Sequence, residues 1–343
     1  MKSVQEKQKA YARAGVDVDQ GNLVKKRIQA RVQSTHGPEV LGKIGGFGGL
    51  FAPNFAGMRE PVLVASVDGV GTKLKIAFAL NRHETVGADL VNHCINDIAV
   101  LGARPLFFLD YIGAERLEPL VFNQILSGFA KACRAGSCAL IGGETAQMPG
   151  MYQRGEYDLA GCIVGVVDRA KMIDGSRIRL GDVVIGLSSN GLHTNGYSLA
   201  RKILLDEMGL KLDGQLPGLN HSLGKELLRT HRNYQPLLQK LAPRSLHGLA
   251  HITGGGLVDN LPRVLPKGCD AVIDTKSWRV PPIFELIASH GRVDRGEMYQ
   301  VFNMGIGMVA IVPAATAREV ARQLKGQIIG RIEAGRCVTR LIF

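Results

Sequence analysis

The sequence predicts two mixed α/β domains that meet near residue 170, so that residues 1–170 form one unit and residues 171–343 the other. Three observations lead there. The chain has 343 residues, which suits two domains of roughly 150 to 200 residues each. Its first half alternates short apolar runs with amphipathic segments. The stretch Asp168 to Asp182 then carries seven charged residues and two glycines, a composition shift suited to a domain boundary.

In the first half, Pro61 to Val67, Leu106 to Ile112, Cys138 to Ile141 and Leu159 to Val167 read as strands. Between them Val91, Ile95, Ile98 and Leu101 recur at helical spacing, as do Leu120, Ile125, Phe129 and Ala132 less regularly. The second half restarts with the strand Val183 to Leu187. Helices are expected around Tyr197 to Met208, Glu226 to Leu241, Leu257 to Val264, Ile283 to Ser289 and Ala317 to Leu324. Strands are expected through Ala271 to Ile273, Gly307 to Val312 and Gln327 to Ile332. Gly42 to Phe55 holds five glycines and one proline and cannot pack as a regular element. It reads as a flexible linker or, functionally, as a lid whose backbone N–H groups approach an anion.

Hydrophobic residues at 45% and charged residues at 21% allow each half an ordinary core. Met1 to Lys9 has no apolar stretch after its charges, so no secretory signal is expected. The most apolar runs, such as Met304 to Ala315, fall short of the roughly 20 residues a spanning helix requires. A soluble, cytoplasmic protein with no membrane partner follows as the expectation. Cys94, Cys133, Cys138, Cys162, Cys269 and Cys337 form no C-x-x-C pair and read as reduced core thiols. They offer no zinc pattern, so any metal is expected to be held by oxygen. The formal charge of +12 favours an anionic partner. The densest basic cluster is only Lys25-Lys26-Arg27 and aromatic residues are 6%, a poor supply for stacking bases, so small phosphorylated ligands are preferred over nucleic acid.

The segment Ser66 to Lys73 runs an apolar strand into acid, glycines, hydroxyl and lysine. Gly69 and Gly71 let the backbone approach oxygen, Lys73 can neutralise phosphate, and Asp68 can hold magnesium. Thr72 precedes the lysine, so this is not a P-loop, and its bland alternative is a plain strand-turn with glycine at positive φ. A second acid, Asp97, lies off the apolar face of its helix. His93, four residues earlier, shares its side, so the two can ligate one ion or bond each other. Asn92 and Asn96 make the neighbouring stripe unusually polar. A third acid, Glu144, follows Gly142 and Gly143 at the end of an apolar run and repeats the pattern of Asp68. The three acids are expected to converge on magnesium-bound phosphates. Ser188 to Ser198 carries more hydrogen-bonding side chains than a helix cap requires, which favours a binding role for His193, Thr194 and Asn195. His251-Ile252-Thr253-Gly254-Gly255-Gly256 is a strand end followed by a glycine loop that can receive phosphate or serve as a plain αβ connection.

Together D-G-V-G-T-K, N-D-I, G-G-E-T-A-Q-M-P-G-M-Y, N-G-L-H-T-N-G-Y-S-L, H-I-T-G-G-G and F-N-M-G-I-G-M resemble the phosphoribosylformylglycinamidine cyclo-ligases, also called aminoimidazole ribonucleotide synthetases. The resemblance runs nearly the whole chain, and Tyr11 to Asn22 resembles that family's N-terminus. It implies an N-terminal domain whose four-stranded sheet pairs with that of a second subunit into a dimeric β-barrel, and an α/β C-terminal domain beside it. It also implies that ATP and formylglycinamidine ribonucleotide give aminoimidazole ribonucleotide, ADP and phosphate through an iminophosphate, in de novo purine synthesis.

Carried over residue by residue, the resemblance makes Asp68, Asp97 and Glu144 the holders of magnesium and phosphates. Gly69, Gly71, Thr72 and Lys73 would meet the phosphate chain, and Gly45, Gly46, Phe47 and Gly48 would close over the nucleotide. Gly142, Gly143, His193, Thr194, Asn195, His251 and Asn303 would line the substrate, with His193, His251 and Lys73 catalytic. ATP and Mg2+ are the implied cofactors, with K+ a further candidate ion. Gln29 stands where some members carry a lysine, and that stretch is left out of the site. Thiamine-monophosphate kinase, selenophosphate synthetase and the hydrogenase maturation dehydratase are the enzyme alternatives. They lack the full motif set, Gly42 to Phe55 has no reactive cysteine, and the chain ends Leu341-Ile342-Phe343 without a terminal cysteine. A basic nucleic-acid-binding protein is opposed by the three acids, which would repel a bare phosphate backbone.

Overall fold

The computed structural model describes residues 29–116 and 118–343. Met1 to Lys9, Tyr11 to Asn22 and the Lys25-Lys26-Arg27 cluster lie outside the described residues. Strands β1 (Pro61–Gly69), β2 (Arg104–Ala114), β3 (Ala139–Gln147) and β4 (Tyr157–Asp168) form one sheet in the order β1-β4-β2-β3. Both β1 and β2 pair antiparallel with β4, whereas β2 and β3 run parallel. A parallel pair needs a crossover, and the helix Pro119–Ala135 supplies it, burying Phe122, Ile125, Phe129 and Cys133.

That helix packs against a second, Glu84–Ala99, at unusually close range. A Cβ on Gly87 would fall 2.2 Å from the Ile125 carbonyl oxygen, and one on Gly128 2.1 Å from that of Glu84. Only glycine at both positions allows the two backbones to meet this way. Along β1 burial alternates. Val62, Val64 and Ser66 are half-buried, while Leu63 and Val67 are 62% and 69% exposed. Within one chain the sheet is therefore open, with β1 and β3 as its edges and an apolar outer face; no closed barrel forms.

The second sheet comprises β5 (Val183–Ser188), β6 (Gly248–His251), β7 (Cys269–Asp274), β8 (Ile306–Val312), β9 (Gln327–Ala334) and β10 (Thr339–Ile342), in the order β10-β7-β9-β5-β8-β6. Every residue of β8 is buried, which accounts for its uninterrupted apolar run. The sequence-predicted helix over Glu226 to Leu241 is corrected. Two short helices, Leu223–Leu227 and Gln235–Leu238, flank an irregular link. Likewise Leu101 lies beyond the helix Glu84–Ala99 and is exposed. All six cysteines are free. No helix among the described residues is long and apolar enough to cross a membrane.

Candidate active site

The helix Glu84–Ala99 presents Asp89, Asn92, His93, Asn96 and Asp97 at helical spacing. Four hydrogen bonds tie this stripe to the backbone of the link between the two short helices. His231 N donates to Asp89 Oδ1 at 2.6 Å, and Tyr234 N to Asn96 Oδ1 at 2.9 Å. Asn92 Nδ2 donates to His231 O and Asn96 Nδ2 to Arg232 O, each at 2.8 Å. Backbone groups that a helix would satisfy internally are satisfied across the domain junction instead. The helix breaks there, and His231 is carried into the junction.

Lys73 completes the clamp. Its Nζ lies 2.7 Å from Asp89 Oδ2 and donates to Arg229 O at 2.7 Å and His193 O at 3.0 Å. A lysine has three donors, and all three are taken. Burial pulls the Lys73 pKa down and pushes that of Asp89 up, each opposed by the charge of the other. Lys73 has no exposed surface, so in this structure it does not reach the cleft where the phosphate contact was expected of it.

Beside this clamp a chain of hydrogen bonds joins Asp68 to Asp97 through three histidines. Asp68 Oδ2 is 2.7 Å from His93 Nε2, and His93 Nδ1 is 3.0 Å from Thr194 Oγ1. Thr194 Oγ1 is 3.3 Å from His231 Nδ1, and His231 Nε2 is 2.9 Å from His251 Nε2. His251 Nδ1 is 2.8 Å from Asp97 Oδ1, whose other oxygen accepts from Ser66 Oγ at 3.0 Å. Donor direction can be followed along the chain. His251 donates to the Asp97 carboxylate and, when neutral, accepts from His231 through Nε2. His231 then accepts from Thr194, whose oxygen accepts from His93 Nδ1. His93 must also donate to Asp68, so it carries both protons.

The electrostatics agree with that assignment. Burial would lower the His93 pKa, but the Asp68 hydrogen bond and the charges of Asp97, Asp68 and Asp89 outweigh it and raise it. Burial would raise Asp68 and Asp97, but His93 and His251 respectively outweigh it, and both carboxyls titrate below their ordinary range. His251 is lowered by burial despite Asp97, and His231 falls well below 6.5 through burial and the neighbouring histidines.

His93, Asp97 and His251 offer ligand atoms all within 4.8 Å of one another. These three make a mixed nitrogen and oxygen group, and the oxygen ligands expected of a metal site are Asp97 and the adjacent Asp68. The partly exposed carboxylates of Asp68 and Asp97 fit a divalent cation such as Mg2+, whereas His93, holding both protons in this arrangement, has no free lone pair to offer. The cluster opens into a cleft of about 340 Å³ that is also lined by Thr253, Asn260 and Arg263.

The remaining expected residues fall in several places. His193 stacks on His231 with ring centroids 4.0 Å apart and accepts from Asn190 N at 3.0 Å. Thr72 Oγ1 lies 3.0 Å from Ser198 Oγ, joining the glycine motif of the first domain to the second. Asn195 Nδ2 is buried without a partner among the described residues. Asn303 accepts from Ser189 Oγ and Gly305 N and donates to Gly191 O, so it ties loops together. Glu144 lies inside β3 rather than after it, with Gly142 and Gly143. Register runs from Glu144 to Tyr111, Ala160 and Gly69, three strand spacings or about 14 Å. Within one chain Glu144 therefore does not join Asp68 and Asp97. Gly45, Gly46, Phe47 and Gly48 form an exposed loop between Val40 and Phe51, which bridge each other. Sequence reasoning missed His231, Asp89 and Arg263. The polar stripe on the helix was the available signal for the first two, since buried amides require partners.

Residues 56–167 match the profile of the AIR synthase related protein, N-terminal domain, and residues 179–341 that of its C-terminal domain. A phosphoribosylformylglycinamidine cyclo-ligase of Geotalea daltonii is 53% identical over 92% of this chain and 91% of its own. That of Bacillus thuringiensis is 48% identical over 96% and 97%. Among solved structures, a thiamine-monophosphate kinase from Stenotrophomonas maltophilia aligns with a TM-score of 0.66 at 21% identity, covering 92% of this chain and 94% of its own. The hydrogenase maturation protein HypE in complex with ATP aligns at 0.63 and 17% identity, covering 92% and 91%. At those identities the likeness is one of fold.

Proposed function

The chain belongs to the phosphoribosylformylglycinamidine cyclo-ligase family, and from that premise we propose that its histidine and carboxylate cluster at the domain junction is where the ring of the substrate closes. The reaction is the ATP-dependent conversion of formylglycinamidine ribonucleotide to aminoimidazole ribonucleotide, ADP and phosphate in purine biosynthesis. An amide oxygen is a poor leaving group. Phosphorylating it gives an iminophosphate, and the neighbouring amidine nitrogen then attacks that carbon, loses a proton and expels phosphate. The protein has to orient two anionic ligands and neutralise the transferring group.

The observation that carries this reading is the hydrogen-bonded chain from Asp68 to Asp97, which crosses both domains and opens on the cleft. Asp68 and Asp97, with His93 and His251 beside them, would hold Mg2+, which when bound offsets the charge of the ATP phosphates. Thr194 and His231 fix the orientation and tautomers of His93 and His251, and Lys73 fixes the loops that carry His193 and Arg229. The loop Gly45 to Gly48 serves as the lid over the nucleotide, and the domain boundary lies near residue 170. The exposed apolar face bearing Leu63, Val67 and Tyr111 supports a homodimer, in which a second copy covers that face and completes a barrel.

The deciding experiment follows ADP and the aminoimidazole product from Mg-ATP, with and without formylglycinamidine ribonucleotide. Equal, substrate-dependent formation of both is expected, and Asp68→Asn should abolish both while the protein stays folded. ADP release without the aminoimidazole would sink the proposal, and a fully active Asp68→Asn protein would move the site elsewhere.

A further inference from the structure

We propose that Arg263 is the anchor for the phosphate of the ribonucleotide substrate. The inference rests on the cyclo-ligase reading above and adds a residue that selects the phosphorylated form of the substrate. Arg263 ends the short turn Leu261–Arg263, directly after the helix Gly256–Asn260. The turn is firmly placed. Leu261 is wholly buried, and Asn260 Nδ2 donates to the carbonyls of Thr253, Gly254 and Gly256, locking the glycine loop to the turn.

From this platform Arg263 lines the same cleft of about 340 Å³ as Asp68, His93, Asp97 and His251. Among the described residues lining that cleft it is the only arginine or lysine; the acids there are Asp68, Asp97 and Asp174, and the one other cation, His93, is buried and already bonded to Asp68. Its guanidinium makes no hydrogen bond or ion pair among the described residues. Every acid around it has a partner: Asp68 has His93, Asp97 has His251, and Asp174 accepts from Ser176 N.

On the proposed reading two phosphate-bearing ligands meet at this cleft, and they differ in what neutralises them. The triphosphate of ATP comes with a divalent cation, which the carboxylates accommodate. The monophosphate of the ribonucleotide comes without one, and a dianion among acidic side chains needs a cation from the protein. A guanidinium presents two parallel N–H donors that match two phosphate oxygens. Arg263 is the side chain placed to supply them.

The test is a cycle between Arg263→Gln and removal of the phosphate from the substrate. For wild type, the dephosphorylated ribonucleoside should show a kcat/KM lower by about 10- to 100-fold, the range of a hydrogen bond to a charged group. Arg263→Gln should raise KM for the ribonucleotide by a similar factor, with smaller effects on kcat and on KM for ATP, and Arg263→Lys should recover part of it. In the Arg263→Gln protein, removing the phosphate should cost almost nothing further. A general structural role would lower the melting temperature and leave that discrimination intact, and this outcome overturns the proposal. So does a rise in KM for ATP alone. Absence of aminoimidazole formation by the wild-type protein defeats the cyclo-ligase reading itself, a result separable from these.

Discussion

Two ionic assemblies sit two turns apart on the helix Glu84–Ala99, and they are built in opposite ways. Asp89 and Lys73 are both wholly buried, and between them they bond the backbone of His193, Arg229 and His231. Asp97 and its neighbour Asp68 keep 25% and 38% of their side chains exposed, while the histidines they hold are almost fully buried. The first assembly has every bond filled from within the chain and meets no cleft. The second has carboxylate oxygens that still face a cleft. A buried charge pair closed on itself fixes positions; one left open on a single side has capacity for a ligand.

The sharpest way to break this comparison is Lys73→Met. It leaves Asp89 as a buried carboxylate without its counter-ion, which should cost about 3–5 kcal/mol of stability. Thermal unfolding reads this directly, and the pair Lys73→Met with Asp89→Leu should recover much of the loss, because no unpaired charge then remains buried. If Lys73 instead served the phosphates, the single variant would melt normally and lose only ATP affinity. That outcome would erase the distinction between the two assemblies.

The same contrast explains which parts of the molecule were legible in the sequence. Runs such as Val183 to Leu187 and Gly307 to Val312 were readable because a strand inside a sheet announces itself by local apolar composition. Asp68, His93, Asp97 and His251 were found because each stands beside glycines or on a helix of clear period. The break in the expected helix over Glu226 to Leu241 was not legible, since its cause lies about 140 positions away in Asn92 and Asn96. The placement of Glu144 within one chain was not legible for a related reason. Its local pattern copies that of Asp68, but β1 and β3 are the two edges of one sheet, and strand order is not written in either segment. Lys73 looked catalytic because burial cannot be read from a lysine in a glycine-rich turn.

A second test uses pH on the sealed side of the junction. His193 lies far below its ordinary 6.5, through burial first and then the charges of His251 and Lys73. The unfolded chain binds this proton more readily than the folded one, so stability should fall as pH drops below about 6.5. Protonation would also place a hydrogen on Nε2, which now accepts from Asn190 N. His193 has φ of 61°, a region that asparagine tolerates. His193→Asn should therefore lower stability modestly and flatten its decline between pH 7.5 and pH 5.5, an interval of about one unit either side of the ordinary histidine value. An equally steep decline in the variant would show that other groups carry the acid sensitivity.

The smallest effect on stability, and the one that extends the comparison to a region with no burial at all, belongs to Phe47. Its side chain is fully exposed, at 117% of the reference surface, in a loop rich in glycine. Removing it should change stability by no more than about 0.5 kcal/mol. If the glycine-rich loop closes over the nucleotide as proposed, this exposed ring gains contacts with the base, so Phe47→Ala should raise KM for ATP several-fold while the melting temperature holds. Stability and nucleotide affinity would then be divided between different residues: the sealed lysine carries the first, the exposed phenylalanine contributes to the second, and the half-open carboxylates between them serve the chemistry. An unchanged KM for ATP would remove the loop from the site and leave the junction cluster to hold the nucleotide without a lid.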